Sequence, residues 1–217
     1  MLRKRTVFHK DAFEKTSEVR REKVLNVAVL EFAERGFAGT NINVIAEKAG
    51  ISIGAMYSYF ASKEDLFLSI VSRQLDLVED VLAEIDVEQQ FFDVIREMFV
   101  QVMEKTREYP YLSQIYLDIT TQSMSSLSQR LMNQFEAGVS DFLLKVVEKG
   151  KARGDLPESV DANMLAYNID NLLIIFQFSF SSEYYAERMR FFLGDERGND
   201  TEYQINSMVK FIENCAK

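Results

Sequence analysis

The sequence predicts an all-α protein with a small basic amino-terminal domain and a larger acidic helical one. Three observations predict this. Helix breakers are scarce, with two prolines and nine glycines in 217 residues. Apolar residues recur at three and four along most of the chain, and no segment alternates with a period of two. Charge is divided unevenly: residues 1–73 hold 12 Lys and Arg against 9 Asp and Glu, while residues 74–217 hold 13 against 25. The net charge of −9 therefore averages a basic third with an acidic remainder. A polyanionic partner such as DNA needs local positive charge, and the basic third supplies it.

Composition also narrows the function. With apolar residues at 47% and charged residues at 27%, the chain is that of a globular protein. The lone Cys215 and lone His9 lie in opposite terminal segments, so neither a disulfide framework, a thiolate metal site nor a Cys–His pair is expected. No Gly-rich phosphate loop is present. No catalytic site, metal or cofactor is predicted, although a hydrolase built on carboxylates alone stays open. The longest apolar run, Leu172 to Phe176, is far below the roughly 20 residues that span a bilayer. The basic start lacks the apolar core of a signal peptide. The expectation is a cytoplasmic protein without a membrane partner.

In chain order, residues 1–17 carry Arg3, Lys4, Arg5, Lys10 and Lys15 without an apolar period and read as a mobile arm or frayed helix extension. From about Glu18, Val24, Leu25, Ala28, Phe32 and Ala33 form one apolar face of a helix that Gly36 ends. A second helix, about Asn41 to Ala49, turns Ile42, Ile45 and Ala46 inward, with Thr40 as its cap and Gly50 closing it. Ser52 caps a third, Ile53 to Phe60, with Met56 and Phe60 inward. Ser62 and Asp65 open a fourth, Lys63 to about Ile85. Six further helices follow the same logic, expected at about Glu88–Glu108, Tyr111–Gln122, Ser125–Lys151, Ser159–Ser181, Glu183–Phe192 and Thr201–Asn214. The predicted domains are an arm (1–17), a helix-turn-helix (18–65) and a regulatory and dimerisation domain (66–217).

Two short helices joined by the tight turn Ala49-Gly50-Ile51-Ser52 let the second helix enter a major groove while the first braces it. The stretch Gly36-Phe37-Ala38-Gly39-Thr40, then Ile45 to Ser52, then Gly54-Ala55-Met56-Tyr57-Ser58-Tyr59-Phe60 and Ser62-Lys63-Glu64-Asp65-Leu66 closely resembles the DNA-binding domain of the TetR (tetracycline-repressor-like) family. The resemblance is specific over about Lys23 to Ile70. It implies that Tyr57 and Tyr59 reach phosphates and that Lys63 touches the DNA backbone. Geometry adds that Ile53, Ala55, Ser58 and Tyr59 avoid the inward face, and that Thr40 and Ser52 offer hydroxyls to phosphate oxygens. Without Arg, Lys, Asn or Gln on the third helix, base readout falls to Ile53, Ala55, Ser58 and the close backbone approach at Gly54. Asn41, Asn43, or Arg3 and Arg5 in a minor groove are alternatives. The competing reading makes Tyr57, Tyr59 and Phe60 core aromatics and Lys63 a solvated lysine.

The resemblance further implies a homodimer and a small-molecule effector bound inside the larger domain. Tyr109, Tyr116, Phe135, Phe142 and Phe176 are candidate apolar walls, with core packing as the default. On the helix from Ser159, the residues Asn163, Tyr167, Asp170, Ile174, Gln177 and Ser181 form a mostly polar stripe that must meet solvent, a partner subunit or a ligand. If it meets a ligand, Asp170 would pair with a cationic group and Tyr167 or Gln177 would orient it. For pairing, Ile205, Met208, Val209 and Ile212 offer one apolar face, and Leu165, Leu172, Ile175 and Phe176 a second. The function expected is a transcriptional regulator, a repressor released from a pseudo-palindromic operator by its effector. The alternative is a ligand-independent or protein-partnered DNA-binding protein.

Overall fold

A computed structural model describes the backbone of residues 7–121 and 125–216, and side chains for 7–116 and 138–216. The described residues form α-helices and no strand. In order they are α1 (Asp11–Glu14), α2 (Glu18–Gly39), α3 (Ile42–Ala49), α4 (Ile53–Tyr59), α5 (Lys63–Glu84), α6 (Phe91–Glu108), α7 (Pro110–Thr121), α8 (Ser125–Arg153), α9 (Ala162–Ser181), α10 (Glu183–Gly198) and α11 (Thr201–Cys215). They divide into two compact units, one of Met1–Leu77 with Gln114–Thr121, the other of Val78–Ser113 with Gln122–Lys217. The boundary thus falls inside α5, twelve residues beyond the expected one at 65.

The first unit is built as its apolar spacing dictates. Val24, Ala28 and Phe32 of α2, Ile45 and Ala46 of α3, Met56 of α4 with Phe60, and Leu66, Phe67, Ile70 and Val71 of α5 are all buried. Gly36 interrupts α2 at φ 64°, which ends the regular helix where the sequence placed its cap. Gly50 sits at φ 72° and ψ 35°, the left-handed geometry open to glycine. Its N–H donates to the Glu47 carbonyl at 3.0 Å and that of Ile51 to Ala46 at 3.0 Å, the paired bonds of a Schellman stop. The Ser52 hydroxyl accepts the Ala55 N–H at 3.1 Å and Ser62 accepts that of Asp65 at 3.1 Å.

Two expectations here need correction. The cap of α3 is Asn41, whose side chain accepts the Asn43 N–H at 2.9 Å. Thr40 is instead buried, and its hydroxyl donates to the carbonyls of Glu31 at 3.0 Å and Gly36 at 2.7 Å. The described part of the arm is also folded: Phe8 and Phe13 are buried and α1 packs on α4.

The second unit is a helical bundle whose core joins Phe91, Val94, Ile95, Met98 and Phe99 of α6 with Leu143, Val146 and Val147 of α8, Ile169, Leu173 and Phe176 of α9, and Ile205 and Ile212 of α11. Burial of side chains this size stabilises by about 1.5–3 kcal/mol each. Helix starts differ from expectation where side-chain caps decide them. Asp161 accepts the Met164 N–H at 3.1 Å, so α9 begins at Ala162, and Asp86 turns the chain by accepting that of Glu88 at 2.9 Å, delaying α6 to Phe91. Helix α10 runs past Phe192, bending at Gly194. Among the described residues no helix is long and apolar enough to cross a membrane.

Replacing Gly50 tests the turn. A Cβ there would lie 3.2 Å from the Lys23 ammonium and the φ of 72° strains any L side chain. Gly50→Ala should lower the stability of the first unit by about 1–2 kcal/mol, read as an earlier denaturant midpoint; an unchanged midpoint contradicts the turn geometry.

Candidate nucleic-acid interface

The first unit presents one side of α4. Met56 and Phe60 are fully buried, which fixes the rotation of this seven-residue helix and leaves Ser52, Ile53, Gly54, Tyr57 and Ser58 exposed. Ile53 is 40% and Tyr57 47% exposed. Large apolar and aromatic side chains left outside on a helix whose other face is sealed are informative, because packing does not account for them. Ala55 is half-buried. The Ser58 hydroxyl donates to the Ala55 carbonyl at 2.7 Å, so it reaches outward only as an acceptor or by giving up that bond.

Tyr59 departs from the expectation that it points outward beside Tyr57. It is 6% exposed, its ring lies 5.4 Å from that of Phe13, and its hydroxyl donates to the Thr16 hydroxyl at 3.4 Å. The cause is the folded arm, which covers a face that the helix-turn-helix alone would leave open. Thr40 is likewise spent internally, as described above. Of the alternative readers, Asn43 is exposed and the Asn41 side chain is engaged as a cap. Arg3 and Arg5 lie outside the described residues.

Lys63 is neither a solvated lysine nor, in the free chain, an outward one. Its ammonium donates to the carbonyls of Phe37 at 2.7 Å and Thr40 at 3.0 Å and stands 4.6 Å from the centroid of the Phe37 ring. These contacts tie the start of α5 to the segment that leads into α3. A second charged pin lies behind α3: Glu31, 2% exposed, is hydrogen-bonded by Lys48 and stands 3.1 Å from Arg35 Nε. The hydrogen bond from Lys48, with the added charge of Arg35, holds the Glu31 carboxyl below its ordinary value of 4.5. Sequence spacing gave no signal for the Lys63 and Lys48 contacts, which join residues 17 or more apart, whereas Arg35 stands at the i, i+4 spacing from Glu31.

The described residues among those expected to line an effector site stand in different surroundings. Phe176 is in the core, 5.3 Å from Phe99 and 4.9 Å from Phe180 between ring centroids. Tyr167 is 61% exposed and Tyr109 39%. Gln177 donates to the buried Ser113 hydroxyl at 2.9 Å, a use within the chain and not toward solvent, a partner subunit or a ligand. Asp170 and Tyr116 are half-buried, and the Phe135 side chain lies outside the described residues. Phe142 lines an open cleft of about 640 Å³ with Leu82, Ile85 and Lys145 and with the carboxylates Glu79, Glu84, Asp86 and Glu88.

Residues 24–70 match the family model described as "Bacterial regulatory proteins, tetR family". Over 185 residues the chain is 28% identical to the HTH-type transcriptional repressor AcnR of Corynebacterium glutamicum, covering 83% of this chain and 94% of that protein. It is 34% identical over 92 residues to the regulator AcrR of Shigella flexneri, a match spanning 40% of this chain and 41% of AcrR. A TetR family regulator from Chloroflexus aurantiacus superposes with a TM-score of 0.71 at 21% identity over 95% of this chain and 97% of its own. FadR of Bacillus subtilis, solved with stearoyl-CoA, does so with 0.69 at 18% over 88% and 96%. The described fold and the exposed α4 thus define an all-helical protein with an amino-terminal helix-turn-helix. Its residues 24–70 are similar to the tetR family of bacterial regulatory proteins, and the chain has the fold of solved tetR-type regulators.

Two measurements check the pins. Lys63→Met removes hydrogen bonds from a charged donor and should cost about 1.5–3 kcal/mol, seen as a lower melting temperature of the first unit; wild-type stability would place the ammonium in solvent instead. For Glu31 the folded carboxyl titrates below the unfolded one, so its contribution is complete above about pH 4.5 and is lost as pH falls through the lower folded value. Melting curves between pH 6 and 3 should therefore fall less steeply for Glu31→Gln than for the wild type, from a lower start. Parallel curves would contradict the pairing.

Proposed function

We propose that this chain is a DNA-binding transcriptional regulator in which α4 enters the major groove. The observation that carries this is the outward strip Ile53, Gly54, Tyr57 and Ser58 on a helix whose opposite face is fully buried, within a domain that matches a family of bacterial regulators. The Tyr57 hydroxyl and the exposed Ser52 supply phosphate contacts, while Ile53, Ala55 and Gly54 approach base edges closely enough to sense thymine methyls. Thr40, Tyr59 and Lys63 support this surface from behind; for Lys63, a DNA contact requires its ammonium to leave the carbonyls it holds.

The functional molecule is a homodimer. Apolar side chains stand exposed on α9 and α10, namely Met164, Tyr167, Ile175, Tyr184, Phe191 and Phe192, and monomers rarely leave so many in water. Ile205, Ile212 and Phe176, which the sequence offered for pairing, are used inside one chain. A twofold dimer presents two copies of α4 to half-sites about 34 Å or a multiple apart, hence a pseudo-palindromic operator.

A small-molecule effector releases the DNA, the action of a repressor. Helix α5 is continuous from Lys63 to Glu84, so a shift at its carboxyl end is carried to the lysine that holds the entrance of α3. Acyl-CoA thioesters are the first effectors to try, since FadR of B. subtilis was solved with one. The carboxylate-rich cleft around Phe142 disfavours a polyanionic head group there and makes neutral and cationic amphiphiles the second set.

Selection of duplexes from random DNA by the full chain should return an inverted repeat. Tyr57→Phe should bind that repeat roughly fivefold more weakly, the worth of about one hydrogen bond, and wild-type affinity should fall steeply with salt. Selection that enriches nothing removes the proposal in favour of a protein-partnered role.

A further inference from the structure

We infer that residues 8–16 are a brace that positions the recognition helix, with Lys10 and Phe13 as its positioning residues. The inference rests on the reading of α4 as the DNA-contacting helix. It concerns a segment that lies outside the residues 24–70 matched by the family's domain.

A helix of seven residues is too short to hold itself together, and its last carbonyls have no partner within it. At the amino end Ser52 closes α4 locally. At the carboxyl end the partners come from a segment more than forty residues away. The Lys10 ammonium donates to the Tyr57 carbonyl at 2.8 Å, and the Lys10 N–H donates to the Tyr59 carbonyl at 2.8 Å. One residue therefore satisfies two of the orphan acceptors and sets a positive charge at the negative end of the helix.

Phe13 completes the brace. It is 3% exposed and its ring lies 4.7 Å from Phe60 and 5.4 Å from Tyr59, so it seals the side of α4 opposite the exposed strip. The brace is anchored in turn to α2, where Arg21 Nη1 donates to the carbonyls of Glu14 at 2.7 Å and Thr16 at 2.8 Å. A lysine beside the carboxyl end of α4 would ordinarily be read as a phosphate contact. Here its ammonium is engaged by the helix itself, and its effect on DNA binding is exerted through the position of Tyr57.

The test uses the full chain as wild type, Lys10→Met and Lys10→Arg, each titrated with the selected duplex across a salt series and each followed by amide hydrogen exchange without DNA. Lys10→Met should bind about tenfold more weakly with an unchanged slope of log affinity against log salt. Its amides at 57–60 should exchange several-fold faster while those of α9 do not change, and Lys10→Arg should restore both. A salt slope shallower by about 0.9 with unaltered exchange would make Lys10 a phosphate contact and overturn the inference, as would wild-type affinity in Lys10→Met. A wild-type chain that selects no duplex sinks the regulator reading separately; unaltered exchange in Lys10→Met would then overturn the brace as well, and faster exchange would support it.

Discussion

Everything in the first unit follows from the need to hold a seven-residue helix in one orientation. Two turns of helix are unstable in water by themselves, so α4 exists only because Met56 and Phe60 are buried and both its ends are capped by other residues. Sealing one face has a direct consequence for the other. The side chains that remain outside, Ile53 and Tyr57 above all, cannot rotate away, and a surface that cannot rotate is what reading a groove demands.

The helices around α4 are locked by charge as well as by apolar contact. Glu31 with Lys48 and Arg35 joins α2 to α3, Arg73 with Glu22 at 2.9 Å joins α5 to α2, and Lys63 gathers the carbonyls that precede α3. A buried carboxylate is costly unless it is well paired, so the Glu31 cluster specifies one packing of α3 on α2 more than it adds net stability. In this arrangement the basic residues of the first unit are not simply a positive coat for DNA. Several are structural, and the outward strip they support is itself uncharged.

What the sequence disclosed is what is local. The stop at Gly50 and the caps at Ser52 and Ser62 each depend on residues within a few positions, and the inward face of α2 to α5 follows from spacing alone. The burial of Tyr59 is not legible, because the ring that covers it, Phe13, comes from a segment with no apolar period. The internal bonds of Thr40 are not legible either, because its hydroxyl reaches back nine residues to Glu31. Gln177 meets Ser113 across 64 positions, a contact no periodicity announces. Effector-site residues were legible only as types, since Phe and Tyr on amphipathic helices serve cores and cavities alike.

The central claim is that DNA is met by the outward side of α4. Amide hydrogen exchange of the full chain with and without its selected duplex measures this most directly. The account predicts new protection concentrated in residues 41–60. Protection confined to α9, α10 and α11, with residues 52–58 unaffected, would contradict it.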